Sequence, residues 1–325
     1  MTQEPDRQIC NYEGSAYRSE FWGEGRDYED AAERVALSRM LPSTGKRLID
    51  IGGGYGRLVP LYEGYRQVVI FDYALSQLRE AQELWGSSGP NATPQYTYVA
   101  GDYYHLPFTQ ASFDTVVLVR ALHHAADAPA VLHGASRLLA PGGSFVLEFA
   151  NKRNLKAVVR YLIGRQDWSP FSPEPVEFAP LNFDFHPAWI AEILTREGLR
   201  IRETRAVSSL RLGLFKRLLP LRLLLTLDRL CQPSGELLPL SPSIFVRSEA
   251  VTTAPPPLED TAFQCPACRS APLRETNDPL SCPHCGASFP IDNGIHNFKA
   301  SDTEPGRAPS ANDQRSTSPL SPGNP

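Results

Sequence analysis

Two groups of residues in this chain are typed and spaced for chemistry. The first is an acid at the end of an apolar run, followed by a glycine turn: Leu48-Ile49-Asp50-Ile51-Gly52-Gly53-Gly54-Tyr55-Gly56-Arg57-Leu58. Asp72 ends a second apolar run, Val68 to Phe71, twenty residues beyond Gly52. A carboxylate at such a strand end can accept both hydroxyls of a ribose, in a geometry fixed by the sheet. The glycine turn lets backbone approach a ligand closely, and Asp50 beside it can receive a cationic amino group by a charge-assisted bond. Gly52, Gly54 and Gly56 fall one residue short of the dinucleotide spacing Gly-x-Gly-x-x-Gly, which points away from NAD. The second group is Cys265-Pro266-Ala267-Cys268, then thirteen residues, then Cys282-Pro283-His284-Cys285. Two Cys-x-x-Cys knuckles at this spacing make a tetrahedral thiolate site, suited to structural zinc and too closed for catalysis. A rubredoxin-like iron site uses the same ligands.

The elements around these residues alternate between strand and helix. An amphipathic helix over 28–41 precedes the strand that ends near Asp50, and a crossover helix is expected to start after Arg57. Strands follow at 68–72, 96–100, 115–119, 144–149, 201–207 and 243–247. The fourth is nearly continuous in apolar and β-branched residues, as a strand buried on both faces should be. Helices are expected over 74–85, stopped by Gly86, and over 128–139, stopped by Ala140-Pro141-Gly142-Gly143. The fold class is α/β: a Rossmann-like, seven-stranded, mostly parallel sheet. Two insertions, 151–187 and 208–240, interrupt the order. The first is aromatic and proline-rich from Trp168 to Phe185, in the manner of a functional lid. The second carries five basic residues against one acid between Leu210 and Leu230. It suits a helix pair lying on an anionic membrane, a cap on an apolar pocket, or a helical hairpin over an ordinary core.

Asp50-Ile51-Gly52-Gly53-Gly54-Tyr55-Gly56 resembles the first motif of class I S-adenosylmethionine-dependent methyltransferases of the small-molecule, type 11-like group. So does the run Gly101-Asp102-Tyr103-Tyr104-His105-Leu106-Pro107-Phe108, with Ser112-Phe113-Asp114 before the fourth strand, and so does Leu138-Leu139-Ala140-Pro141-Gly142-Gly143. The resemblance implies S-adenosylmethionine as cofactor. It implies that Asp50, Gly52, Gly54 and Gly56 hold the methionine end and that Asp72 binds the ribose. Tyr73 and Tyr103 would pack the adenine, Asp102 would accept from its amino group, and Arg120 would join the cofactor set. The loop after the fourth strand, Arg120-Ala121-Leu122-His123-His124, would face the methyl group. His123 and His124 are then base candidates, because imidazole titrates near working pH. Asp114 is expected to be structural. Segments placed like 1–41 often fold over the cofactor in this family, and Tyr17 and Trp22 are expected in the acceptor pocket with His123. Phe289-Pro290-Ile291-Asp292-Asn293-Gly294-Ile295 resembles the end of small Trm112-like ribbon domains, which activate some RNA and protein methyltransferases.

The implied organisation is a methyltransferase domain over 1–250, a proline-rich linker over 251–260, a zinc ribbon over 261–299 and a disordered tail over 300–325. The net charge of −4 leaves no general footprint for a polyanion. No secretory leader and no run of 18 apolar residues stands in the sequence, so a cytoplasmic protein without a transmembrane segment is expected. Cys10 and Cys231 should stay free. No Asn-Pro-Pro-Tyr or Asp-Pro-Pro-Tyr follows the fourth strand, and no Pro-Cys pair stands there. A small, apolar or lipid-like acceptor at oxygen or carbon is the leading expectation. The competing ones are RNA, with the ribbon touching substrate, and a non-catalytic cofactor-binding module.

Overall fold

In the computed structural model, the described residues are 7–15, 18, 22, 25–86, 94–211, 213–251, 263–274 and 279–299. Tyr17, most of the expected linker and the expected tail lie outside them. The strands are β1 (Gly45–Ile51), β2 (Tyr65–Asp72), β3 (Gln95–Ala100), β4 (Phe113–Leu118), β5 (Leu139–Ala150), β6 (Val176–Ala179), β7 (Asn182–Asp184), β8 (Leu199–Val207) and β9 (Ser243–Ala250). The C-terminal segment adds β10 (Leu280–Ser281), β11 (Ser288–Phe289), β12 (Ile291–Asp292) and β13 (Ile295–Asn297). Helices are α1 (Asp27–Met40), α2 (Leu75–Trp85), α3 (Ala128–Ser136), α4 (Leu155–Leu162), α5 (Pro187–Arg196), α6 (Gly213–Leu218) and α7 (Leu221–Cys231).

The central sheet runs β12-β13-β3-β2-β1-β4-β5-β9-β8. Strands β3, β2, β1, β4 and β5 are parallel, and β9 inserts antiparallel between β5 and β8, so that β8 runs in the direction of β5. Side chains alternate between two cores. Ile49, Ile51, Val69 and Phe71 face one, and Leu48, Val68 and Ile70 face the other, so both sheet faces are covered. In register, Asp50 pairs with Ile70 on one side and Val117 on the other, and Asp72 pairs with Ala100. Asp50, Asp72 and the Arg120 loop therefore reach the same carboxyl edge.

Nine strands stand where seven were expected. The two extra strands come from the C-terminal segment, whose β13 pairs in parallel with β3 through Ile295↔Tyr98, His296↔Val99 and Asn297↔Ala100. This pairing covers backbone groups that β3 would otherwise leave open as an edge strand. Asn293 and Gly294, both at positive φ (50° and 85°), make the tight turn from β12 to β13. Phe263, Phe289 and Phe298 share the main core, with the Phe263 ring 5.6 Å from that of Phe108.

Two other expectations are corrected. No crossover helix follows Arg57; a single 3₁₀ turn at Val59–Leu61 is formed, since Pro60 lacks a donor and the chain must turn back at Gly64 toward β2. The Pro141-Gly142-Gly143 turn lies inside β5, where a register shift between Phe113 and Thr115 of β4 absorbs it. The 151–187 insertion holds α4 and the β6–β7 hairpin.

Candidate active site and metal centre

The carboxyl ends of β1, β2 and β4 enclose a cleft of about 830 Å³, open mouth included. Its lining contains Asp50, Gly52, Gly54, Asp72, Tyr73, Tyr103, Arg120, His124 and Trp22 of the expected residues, and also Cys10 and Tyr12 from the N-terminal arm. The turn is anchored across the strands: Gly52 and Gly53 both donate to the Phe71 carbonyl, at 2.8 and 3.1 Å. Gly52 sits at φ +76°, and a Cβ there would meet the Ala121 Cβ at 2.5 Å, so only glycine fits between this turn and the β4 loop.

The Asp72 carboxylate accepts from Gly54 N and Ala74 N, each at 2.9 Å, and so ties the glycine turn to the start of α2. Those bonds fall one on each carboxylate oxygen and leave further lone pairs for the cleft. Asp50 is buried and accepts from the Tyr62 hydroxyl at 2.8 Å. Burial pushes its carboxyl up to about 7, against the pull of Tyr62 and Arg57. Gln77 Oε1, also in the lining, is buried and without a hydrogen-bond partner. A buried acid awaiting a cation, a ribose-type acid and an orphaned amide oxygen are an acceptor set that fits the ammonium and hydroxyl donors of S-adenosylmethionine.

Three expected residues are placed elsewhere. Asp102 turns back into its own loop, accepting from Tyr104 N at 2.8 Å and lying 2.7 Å from His105 Nδ1. Gly56 serves packing, since a Cβ there would meet the Trp85 indole at 2.6 Å. His123 packs against His124 with the rings tilted by 45° and their centroids 4.0 Å apart, and burial together with His124 and Arg120 holds its pKa well below the ordinary value. Asp114 accepts from Lys46 N and Arg47 N, a turn acid at the strand entrance.

His124 is the histidine the cleft reaches. Its Nδ1 lies 2.9 Å from the Leu181 carbonyl, which can only accept, so Nδ1 carries the proton. Nε2 is then the acceptor for the Tyr12 hydroxyl at 2.9 Å. Burial lowers the His124 pKa and keeps the ring neutral. Tyr12 is held by the arm's own anchors: Glu13 accepts from Leu75 N and Ser76 N at the head of α2, and Arg7 pairs with Asp127 at 3.1 Å.

The sequence reading missed Glu33. It is fully buried and accepts from Arg57 Nη2 at 2.9 Å and Arg120 Nε at 2.9 Å. The Arg57 guanidinium lies 4.1 Å from the Trp22 ring centroid. A signal existed: Glu29, Ala32, Glu33, Ala36, Leu37 and Met40 make the inward stripe of α1, and carboxylates on such a stripe require cations opposite. Arg120 itself is at φ +60°, with its backbone N bound to Glu148 Oε2 at 3.0 Å.

Within the 151–187 insertion, Lys152 is buried. Its Nζ donates to Ser172 O (3.2 Å), Ser172 Oγ (2.7 Å) and Glu174 O (2.5 Å). Among the described residues, no helix is long and apolar enough to cross a membrane.

The sulfurs of Cys265, Cys268, Cys282 and Cys285 all lie within 4.8 Å of one another. The two knuckles repeat one backbone pattern. Cys265 N donates to Ser270 O and Arg269 N to Cys265 O, and Cys282 N donates to Ala287 O and Gly286 N to Cys282 O. Arg269 (φ 60°) and Gly286 (φ 76°) take the same left-handed turn. Sulfurs 3.5 Å (Cys268–Cys282) and 3.6 Å (Cys265–Cys285) apart fit the edges of a tetrahedral thiolate site.

Residues 49–147 match the methyltransferase-domain family. The chain is similar to the 27-O-demethylrifamycin SV methyltransferase of Amycolatopsis mediterranei, 30% identical over 39% of this chain and 48% of the relative. It spans about half the length of several curated relatives it matches. The ubiquinone biosynthesis O-methyltransferase of Paracidovorax citrulli is covered further: 30% identity, over 53% of this chain and 70% of the relative. A chain from the complex between the Haloferax volcanii Trm112 methyltransferase activator and a methyltransferase shares the fold. Its TM-score is 0.50 at 18% identity, covering 73% of this chain and 97% of that one. Motif, sheet order and relatives agree: the chain belongs to the class I S-adenosylmethionine-dependent methyltransferases.

Proposed function

We propose that this chain moves the methyl group of S-adenosylmethionine to an oxygen or carbon of a small, largely apolar acceptor. The observation that carries it is the cleft in which Asp50, Asp72 and the partnerless Gln77 Oε1 converge beside the glycine turn. When bound, the cofactor supplies a sulfonium-activated methyl group that a nucleophile takes in line. Asp72 holds the ribose hydroxyls, Asp50 the amino group, and Tyr73 and Tyr103 flank the adenine. Glu33 fixes Arg120 at the β4 edge. Tyr12 and His124 hold or move the acceptor's proton, the phenol hydrogen passing to Nε2 as the phenol oxygen receives another. Alignment and exclusion of water supply most of the rate.

The rifamycin and ubiquinone-biosynthesis relatives support a small acceptor. Against RNA, Lys152 is spent inside the lid, which interrupts the basic stripe that Lys152, Arg153 and Arg217 would have formed. The four cysteines are read as one structural zinc site in a Trm112-like ribbon fused in cis. Titration calorimetry tests the cofactor: S-adenosylmethionine and S-adenosylhomocysteine should bind and NAD should not. Asp72→Ala should weaken binding by about 2–3 kcal/mol, the loss of charge-assisted bonds. No heat with either sulfur ligand, or clear NAD binding, defeats the proposal.

A further inference from the structure

In the loop after β8, within electrostatic range of Arg120, lies a second polar cluster whose Arg211 is not among the residues lining the cofactor cleft. Arg211 follows a loop pinned from below: Asp228 Oδ1 accepts from Ser209 N at 2.9 Å and from the Tyr28 hydroxyl at 2.9 Å, and Leu210 N donates to that same hydroxyl at 3.0 Å. The loop is thus built to hold Arg211 in place. Yet Arg211 Nε and Nη2 are buried and have no hydrogen-bond partner. Arg120, Glu33, Glu29 and Glu148 lie within electrostatic range of the guanidinium. None of these acids forms an ion pair with it among the described residues. Glu33 is taken by Arg57 and Arg120, and Glu148 by Arg120 N and Ser243 Oγ. Asp184, on the lid strand that begins one residue after the His124 partner Leu181, also senses Arg211. A buried guanidinium with idle donors is expensive unless something accepts from it. Its planar fork suits a planar oxyanion.

We propose that Arg211 binds the acceptor, taking a planar anionic oxygen group (a carboxylate, or an ionised phenol or enol) and so orienting the acceptor across the His124–Tyr12 end of the cleft. This rests on the methyltransferase reading and narrows it: the acceptor is apolar in body and anionic at one end. Arg211 is a binding residue that leaves the cofactor alone.

The test uses full-length protein saturated with S-adenosylhomocysteine and titrated at pH 8 with two matched pairs. One pair is 3-phenylpropionate and 3-phenylpropionamide; the other is 4-nitrophenolate and nitrobenzene. At least one anion should bind about tenfold or more tighter than its neutral partner. The preferred pair tells carboxylate from phenolate. Arg211→Met should abolish that preference, and Arg211→Lys should keep part of it, while both variants bind S-adenosylhomocysteine as the wild type does. Equal binding of anion and neutral partner, binding of neither anion, or a preference that survives Arg211→Met overturns the proposal. Failure of the wild type to bind S-adenosylhomocysteine would instead remove the methyltransferase reading beneath it.

Discussion

At the scale of single residues, Asp50 and His124 both act deprotonated, but their pKa shifts run in opposite directions. The Asp50 carboxyl, raised to about 7 by burial, must be ionised to receive an ammonium group. Cofactor affinity should therefore fall as pH drops from 8 to 6, and Asp50→Asn should flatten the profile; calorimetry across that range checks it. The same shift has a consequence for the ligand-free fold. The unfolded carboxyl titrates near about 4. Its favourable contribution is complete below that pH and is lost as pH rises through about 7. His124 behaves differently, because its lowered pKa leaves the imidazole neutral already below the usual range. With saturating cofactor, turnover should be level from neutral pH upward. His124→Gln should lower kcat by about 10²–10⁴ if the ring takes part in proton transfer, with cofactor affinity unchanged. A kcat within twofold of wild type would assign both histidines to packing.

At the scale of elements, α1 is more than a cover for the sheet. Its Glu33 is the common acceptor for arginines from the glycine turn and the β4 loop, with no exposed surface of its own. Glu33→Gln keeps the volume and removes the charge, leaving two cations poorly compensated. Loss of about 3–5 kcal/mol is expected in urea unfolding, the range for breaking a buried pair. The second insertion presents a different problem. Helices α6 and α7 expose Leu218 (68%) and Leu230 (73%) beside Arg217 and Arg229, and α4 exposes Leu162 (71%). If this surface lies on an anionic membrane, the protein should sediment with phosphatidylglycerol vesicles and stay free of phosphatidylcholine ones. Leu218→Ser with Leu230→Ser should weaken that binding. No sedimentation with either vesicle would leave these helices as a hairpin over the core.

For the whole molecule, the cysteine segment and the cofactor cleft are one structure. Strand β13 extends the sheet beside β3, and just beyond it Lys299 lies 4.7 Å from the Tyr73 ring centroid and 3.4 Å from Glu13 Oε2. Tyr73 lines the cleft, and Glu13 holds the arm that covers it. Metal analysis should return one zinc per chain, and iron in its place would point to electron transfer. A segment this small depends on its metal for folding. Chelation should therefore release β12 and β13 and weaken S-adenosylhomocysteine binding several-fold, with zinc restoring it. Unchanged affinity after complete zinc removal would show that the edge strands do not serve the cleft.

Sequence alone determined the central sheet, the acid and glycine positions at its carboxyl edge, and the four clustered cysteines. Each of these is local: strand period, a turn that demands glycine, and knuckle spacing are written in consecutive residues. The tertiary structure decided what depends on residues far apart. It turned Asp102 toward His105, placed His124 rather than His123 in the cleft by pairing it with Tyr12, 112 residues away, and buried Lys152 against Ser172. It joined the cysteine segment to β3, a pairing between residues almost 200 positions apart that no short-range pattern encodes. It also left Arg211 buried and unanswered, because only the folded loops decide which charges find partners.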